Sequence, residues 1–210
     1  MFSQIIIAVI LSYLLGSIPT AYIFGRVFKG IDIRGHGSGN VGATNAFRVL
    51  GKGQGSAVLL IDICKGILAT TLLPNVLGLS KIWQYVLLSL VVVCGHNWTI
   101  FLNFKGGKGI ATSLGVLIGL TIQIAAIRPV LLATVLIWGS IFLVTGLVSL
   151  ASIVAASFLP IIIVLTNQST AIVVLGVIFC LLVVLRHRNN IKRLLKGEEP
   201  RVIFPFPKRR

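Results

Sequence analysis

The stretch Ala171-Ile172-Val173-Val174-Leu175-Gly176-Val177-Ile178-Phe179-Cys180-Leu181-Leu182-Val183-Val184-Leu185 runs straight into Arg186-His187-Arg188. An unbroken apolar run of this length is near the lower limit for a helix crossing a hydrocarbon core of about 30 Å. Its basic flank marks one side of the membrane. Six further apolar runs lie upstream, at about 4–25, 55–75, 82–102, 109–127, 129–146 and 149–166. The chain is therefore expected to be an all-α integral membrane protein with about seven transmembrane helices. Composition agrees: 56% of the 210 residues are hydrophobic, 11% are charged, and mean hydropathy is +1.03. Soluble domains carry roughly a quarter of their residues as charges, so a water-soluble globule is excluded, and no length remains for a separate soluble domain. The N-terminal run lacks a basic leader, so it is expected to be a retained first span. Pro19 and Pro160 fall inside spans, where neighbouring helices can satisfy the freed backbone groups.

The formal net charge of +15 would point to nucleic acid in a soluble protein, but here it first reports sidedness. Arg26, Lys29, Arg34, Arg48 and Lys52 follow the first run, Lys105 and Lys108 the third. Arg186, Arg188, Lys192, Arg193, Lys196, Arg201, Lys208, Arg209 and Arg210 follow the seventh, whereas Lys81 and Arg128 occupy the opposite loops. This distribution predicts an external N-terminus and a cytoplasmic C-terminus. Cys64, Cys94 and Cys180 each stand alone in an apolar run, with no CxxC pair, so they are expected to be buried small hydrophobes. Asp62 and Lys65, three apart in the second run, are expected to form a structural ion pair.

Polar chemistry gathers in three segments on the basic side. The first is Gly35-His36-Gly37-Ser38-Gly39-Asn40-Val41-Gly42-Ala43-Thr44-Asn45-Ala46-Phe47-Arg48. No strand precedes its GxGxxG, which argues against a dinucleotide turn, and Ala43 stands where a P-loop needs lysine. What remains is a glycine-rich backbone able to present N–H groups to an anion, with donors from Ser38, Asn40, Thr44 and Asn45. The second segment, Gly95-His96-Asn97-Trp98 through Phe104-Lys105-Gly106-Gly107-Lys108-Gly109, places two lysines at a helix N-terminus, where anions are favoured. The third is Arg186-His187-Arg188-Asn189-Asn190, opening a basic amphipathic tail. Its Lys192, Arg193 and terminal Lys208-Arg209-Arg210 suit contact with anionic lipid, whereas His187 and Asn190, three apart on one helical face, do not require it. Two anion cradles and a shared set of cations fit an enzyme joining two phosphate-bearing reactants. A transporter or flippase for a phosphorylated small molecule, the competing class, more naturally holds substrate at mid-membrane.

Taken together, Gly37 to Asn45 with Arg48, Gly95-His96 through Gly109, and Arg186-His187-Arg188 with Asn190 resemble the bacterial acyl-phosphate:glycerol-3-phosphate acyltransferases, in order and separation, over the whole chain. Thr99 stands where that family often has proline, and Asn189 where it often has glutamate. The resemblance implies one membrane-embedded acyltransferase domain over residues 1–210, in the bacterial plasma membrane with its active site facing the cytoplasm. It would transfer an acyl group from acyl phosphate to the sn-1 hydroxyl of glycerol 3-phosphate, giving lysophosphatidic acid. It further implies that Ser38, Arg48 and Lys108 hold the glycerol 3-phosphate phosphate, with Gly106 and Gly107 beside them. Catalytic His187 and Asn190 would contact its glycerol part, and the glycine-rich backbone from Gly39 to Thr44, with Asn40 and Gly42, would receive the acyl-phosphate headgroup, Asn45 also being among the substrate-binding residues. Expected partners are membrane lipid and the soluble enzyme that makes acyl phosphate, not nucleic acid.

Acyl phosphate is a mixed anhydride with a good leaving group, so the site has mainly to align a hydroxyl with the carbonyl and stabilise developing charge. The His-x4-Asp signature of the other large acyltransferase class is missing: five residues after His36, His96 and His187 stand Val41, Phe101 and Lys192. The acids Asp32, Asp62, Glu198 and Glu199 show no metal-site spacing with the histidines, so no metal and no cofactor is expected.

Overall fold

The computed structural model describes residues 2–202, which are helical with no strand among them. The helices are α1 (Phe2–Ser17), α2 (Thr20–Lys29), α3 (Ala43–Leu50), α4 (Lys52–Thr70), α5 (Leu72–Leu77) and α6 (Ile82–Asn97). They continue with α7 (Ile110–Gln123), α8 (Arg128–Thr145), α9 (Val148–Leu165), α10 (Thr170–Arg186) and α11 (Arg188–Leu195). By length and composition five stretches can cross a membrane: Phe2–Lys29, Lys52–Leu77, Ile82–Leu102, Ala125–Thr145 and Val148–Leu165. A sixth is α10 taken with α11, bent by 62°. The fourth predicted span is shorter than expected: α7 has 14 residues, roughly 21 Å. The length it lacks is filled by the glycine-lysine loop, whose Gly106, Gly107 and Gly109 are buried below the helix start. The terminal Lys208-Arg209-Arg210 lie outside the described residues.

Helix packing follows small residues, as it must where lipid removes the hydrophobic drive between helices. The α4–α7 seam is built on Gly66, Gly115 and Gly119: a Cβ on Gly115 would strike the Ile63 carbonyl, and one on Gly66 the Thr112 carbonyl. Along α1 and α6, Ser12 Oγ donates to the Leu88 carbonyl (2.9 Å) and Ser17 Oγ to Gly95 (3.3 Å), so these helices run parallel. The α4–α7 contacts likewise run in one sense. Helices α8 and α9 pack together, as do α9 and α10, and the ends of α6 and α10 both meet the loop before α7, Gly106 N–H donating to the Asn97 carbonyl and Arg186 to the Gly107 carbonyl.

One expectation holds and one changes. Pro19 falls inside the first span, Phe2–Lys29, where it separates α1 from α2. The carbonyls freed there are taken up by neighbours: Ser17 accepts from Thr99 Oγ1 and Ile18 from Lys65 Nζ, each at 2.5 Å. Thr99 thus makes a bond that a proline could not. The cysteines, by contrast, are not core residues: Cys64 is exposed on the outer face of α4, and Cys94 and Cys180 are half-buried. The interior instead holds small and polar groups, among them Ser12, Thr20, Asp62, Lys65, Ser89, His96 and Thr112.

Candidate functional site

The second and third segments meet directly. Lys108 Nζ donates to Asn190 Oδ1. Arg186 holds the loop from the other side, Nη2 donating to the carbonyls of Gly106 (3.0 Å) and Gly107 (2.7 Å), with its guanidinium 5.5 Å from the Trp98 ring centroid. Both glycines are required by close approach to the end of α6. The Gly107 and Gly106 N–H groups donate to the His96 (3.0 Å) and Asn97 (3.1 Å) carbonyls. A Cβ on Gly107 would collide with His96 Nε2. The loop therefore lies on the floor formed by α6, with Lys108 at its end and the start of α7, uncapped by any side chain, directly behind it.

The first segment is more structured than a glycine-rich loop leads one to expect. A 3₁₀ turn (Ile33–Gly35) is followed by tight backbone through Gly37 at φ 60°, then by α3, which carries Thr44, Asn45 and Arg48. Asn45 is buried, and its side chain organises the loop: Oδ1 accepts the Ser38 N–H (2.8 Å) and Nδ2 donates to His36 O (3.0 Å). A Cβ on Gly37 would strike that same Oδ1. Helix α3 begins at Gly42 with no side-chain cap, leaving its first N–H groups open to an anion. Arg34 and Arg26 are engaged with Asp32 at 2.7 and 3.4 Å, and Arg34's hydrogen bonds bring the Asp32 carboxyl down to about 2. Ser38, Thr44 and Arg48 are exposed, and Gly39, Asn40 and Gly42 half-buried. Val41, Ala46 and Leu50 share a hydrophobic cluster with Leu102 of the second segment, which docks the two segments together.

Charge around Lys108 is unusual. Burial, and then the nearby cations Arg193, Arg186 and Arg48, outweigh the opposing Glu199 and push its ammonium down to about 8. His187 lies at the bend between α10 and α11, rather than on one continuous helical face with Asn190, and both side chains are buried. Burial first, and the Lys108 charge second, push the His187 imidazole down to about 4, so it is neutral near pH 7. Its Nδ1 stands 2.8 Å from the Val183 carbonyl, which can only accept. The proton therefore sits on Nδ1, and Nε2 carries a free lone pair.

Sequence inspection missed Glu199. This carboxylate returns from beyond α11 to accept from Asn190 Nδ2 (2.6 Å), Arg193 Nε (2.7 Å) and Ser149 Oγ (2.7 Å). Burial works to raise its carboxyl, but those hydrogen bonds prevail and hold it below the usual range. The available signal was a pair of adjacent acids, Glu198 and Glu199, in a strongly basic tail. Among the described residues no three His, Cys, Asp or Glu side chains gather in a way that could hold a metal ion.

The sequence model of the glycerol-3-phosphate acyltransferase family matches residues 6–197. The chain belongs to the glycerol-3-phosphate acyltransferase family. Its relatives include the glycerol-3-phosphate acyltransferase of Desulforudis audaxviator, 48% identical over 201 residues, with 95% of this chain and 96% of the relative covered. That of a Synechococcus strain is 45% identical, with 91% and 92% covered. Among solved structures, PlsY, an integral membrane glycerol 3-phosphate acyltransferase, matches in its glycerol 3-phosphate form with a TM-score of 0.85 and 37% identity, covering 95% of this chain and 96% of that one. The lysophosphatidic acid form gives a TM-score of 0.81. Membership makes this chain a multi-pass membrane acyltransferase of the glycerol-3-phosphate acyltransferase family and sets the transporter alternative aside.

Proposed function

We propose that the chain transfers an acyl group from acyl phosphate to the sn-1 hydroxyl of glycerol 3-phosphate at the cytoplasmic face of the bacterial plasma membrane, releasing lysophosphatidic acid. The observation that carries this is the junction at Lys108: one partly buried ammonium, bonded to Asn190, within the field of Arg48, Arg186 and Arg193. Such a concentration of cations between two uncapped helix starts is a place for phosphate.

Ser38, Arg48 and Lys108 hold the phosphate of glycerol 3-phosphate beside Gly106 and Gly107, while Asn190 and His187 align the glycerol. The acyl-phosphate headgroup, delivered by a soluble enzyme, sits against the backbone from Gly39 to Thr44 at the start of α3. Asn45 acts by shaping that backbone. The sn-1 oxygen attacks the acyl carbon, the bond to the bridging phosphate oxygen breaks, and the hydroxyl proton passes to the departing phosphate. Neutral His187 offers Nε2 as an acceptor that orients the hydroxyl; a group held down to about 4 is a weak base at neutral pH, so orientation is its larger contribution.

Purified protein given acyl phosphate and labelled glycerol 3-phosphate should form lysophosphatidic acid, in EDTA as without it, and should strongly prefer acyl phosphate to acyl-coenzyme A. Equal use of acyl-coenzyme A, or loss in EDTA restored by Mg²⁺, would refute the donor and metal assignments. Sidedness is read separately: cysteine at Ser80 should react with an impermeant thiol reagent from outside and cysteine at Gly53 should not, and the reverse pattern would invert the topology.

A further inference from the structure

Behind the loops lies a buried ionic cluster for which the chemistry above has no use. Asp62 and Lys65 are 1% and 2% exposed. All three Lys65 protons are engaged, with the Ile18 carbonyl (2.5 Å), Thr20 Oγ1 (2.6 Å) and Asp62 Oδ1 (2.7 Å). Thr20 Oγ1 also donates to Asp62 Oδ1 (3.0 Å). The expected structural ion pair is thus present, anchored to the Pro19 break. The same Asp62 oxygen stands 3.9 Å from Nδ1 of His96, itself 8% exposed. That distance is beyond a hydrogen bond, so the carboxylate acts on the ring through its field, favouring a proton on Nδ1. The opposite ring edge, Nε2, is what a Cβ on Gly107 would strike, and the His96 carbonyl receives the Gly107 N–H. His96 is therefore wedged between the ion pair and the residue that precedes Lys108.

We infer that Asp62 and Lys65 are positioning residues for glycerol 3-phosphate binding: through His96 they fix the height of the Gly106–Lys108 loop, and with it the place of the Lys108 ammonium. Two charges at this depth are costly unless paired, and a pure packing role would be served as well by apolar side chains of similar size. The pair instead joins the one break in the first span to the floor under the acceptor loop. This inference rests on the assignment of Lys108 to glycerol 3-phosphate.

The test replaces both charges together, Asp62→Asn/Lys65→Met, so that no lone buried charge remains. In protein matching wild type in helicity and monodispersity, the Kd and KM for glycerol 3-phosphate should rise about tenfold, the scale of one lost charge-assisted hydrogen bond. The KM for acyl phosphate and kcat should stay within about threefold, because a displaced acceptor loop weakens binding shared by ground and transition states. Unchanged Kd and KM for glycerol 3-phosphate would overturn the inference, as would parallel loss in both substrates, the mark of general loosening. Should that variant not fold, His96→Gln, which leaves the pair intact, decides in the same way. Wild type that binds glycerol 3-phosphate but transfers no acyl group would defeat the proposed reaction while leaving the Kd comparison readable.

Discussion

Helices α4 and α8 are of similar length and both apolar, yet they are used in opposite ways. Along α4, Gly66 and Thr70 face α7 at backbone distance and Asp62 and Lys65 are sealed inside. Along α8 only Val130 is buried, while Leu132, Val135, Leu136, Leu143 and Val144 are exposed, as a lipid-facing helix requires. Its main tie inward is Trp138 Nε1 donating to Ser152 Oγ of α9 (3.1 Å). Tight packing is concentrated where the site loops are held. The half that carries the glycine and lysine loops is fixed by small residues and buried polar bonds, and the other half covers it and turns its bulk to lipid.

The sharpest way to break this contrast is a matched pair of substitutions. Gly115→Ala puts a methyl into the Ile63 carbonyl, whereas Gly139→Ala on α8 meets nothing within 4 Å. The first should cost about 1–3 kcal/mol of stability or prevent folding, and the second should be neutral or stabilising by up to about 1 kcal/mol, since alanine favours helix. Thermal unfolding in detergent compares them; equal effects would dissolve the distinction between the halves.

Within the site half, Lys108→Ala and Arg48→Ala should each lower kcat/KM for glycerol 3-phosphate by roughly one to two orders of magnitude, the value of a hydrogen bond to a charged partner. Lys105→Ala, at an exposed position on the same loop, should lose less. Full activity in either of the first two would remove the phosphate assignment.

The same cation can be removed by pH. Lys108 is charged below about 8 and neutral above it, so kcat/KM should fall as pH rises through that value. Lys108→Arg should abolish that alkaline limb, because guanidinium stays protonated. His187, already neutral down to about 4, should add no inflection near 6.5. An inflection there that disappears in His187→Gln would show an ordinary, titrating histidine.

Five of the seven apolar runs reappear as helices long and apolar enough to cross a membrane; α10 occupies the expected 170–186 but makes a sixth only with α11, and α7, in the fourth run, is shorter. The three candidate segments stood out because glycine, lysine and asparagine have little reason to cluster between spans, and the structure joins the second to the third through Lys108 and Asn190. What could not be read had three-dimensional causes. The break at Pro19 persists because Thr99 and Lys65, distant in sequence, capture its carbonyls. Helix α3 was hidden by the glycines before it, whose turn depends on the buried Asn45 amide. Glu199 joins the site only because the 62° bend after α10 returns the chain to Asn190 and Ser149.

If segments far apart in sequence hold one phosphate, Arg48 and Lys108 must be energetically coupled, which a double-mutant cycle between them measures. Both cations would grip the same anion, so kcat/KM for glycerol 3-phosphate in Arg48→Ala/Lys108→Ala should fall by clearly less than the product of the two single losses, a coupling of about 0.5–3 kcal/mol. Losses that simply multiply would mean the two residues serve separate sites, and would contradict a shared phosphate clamp.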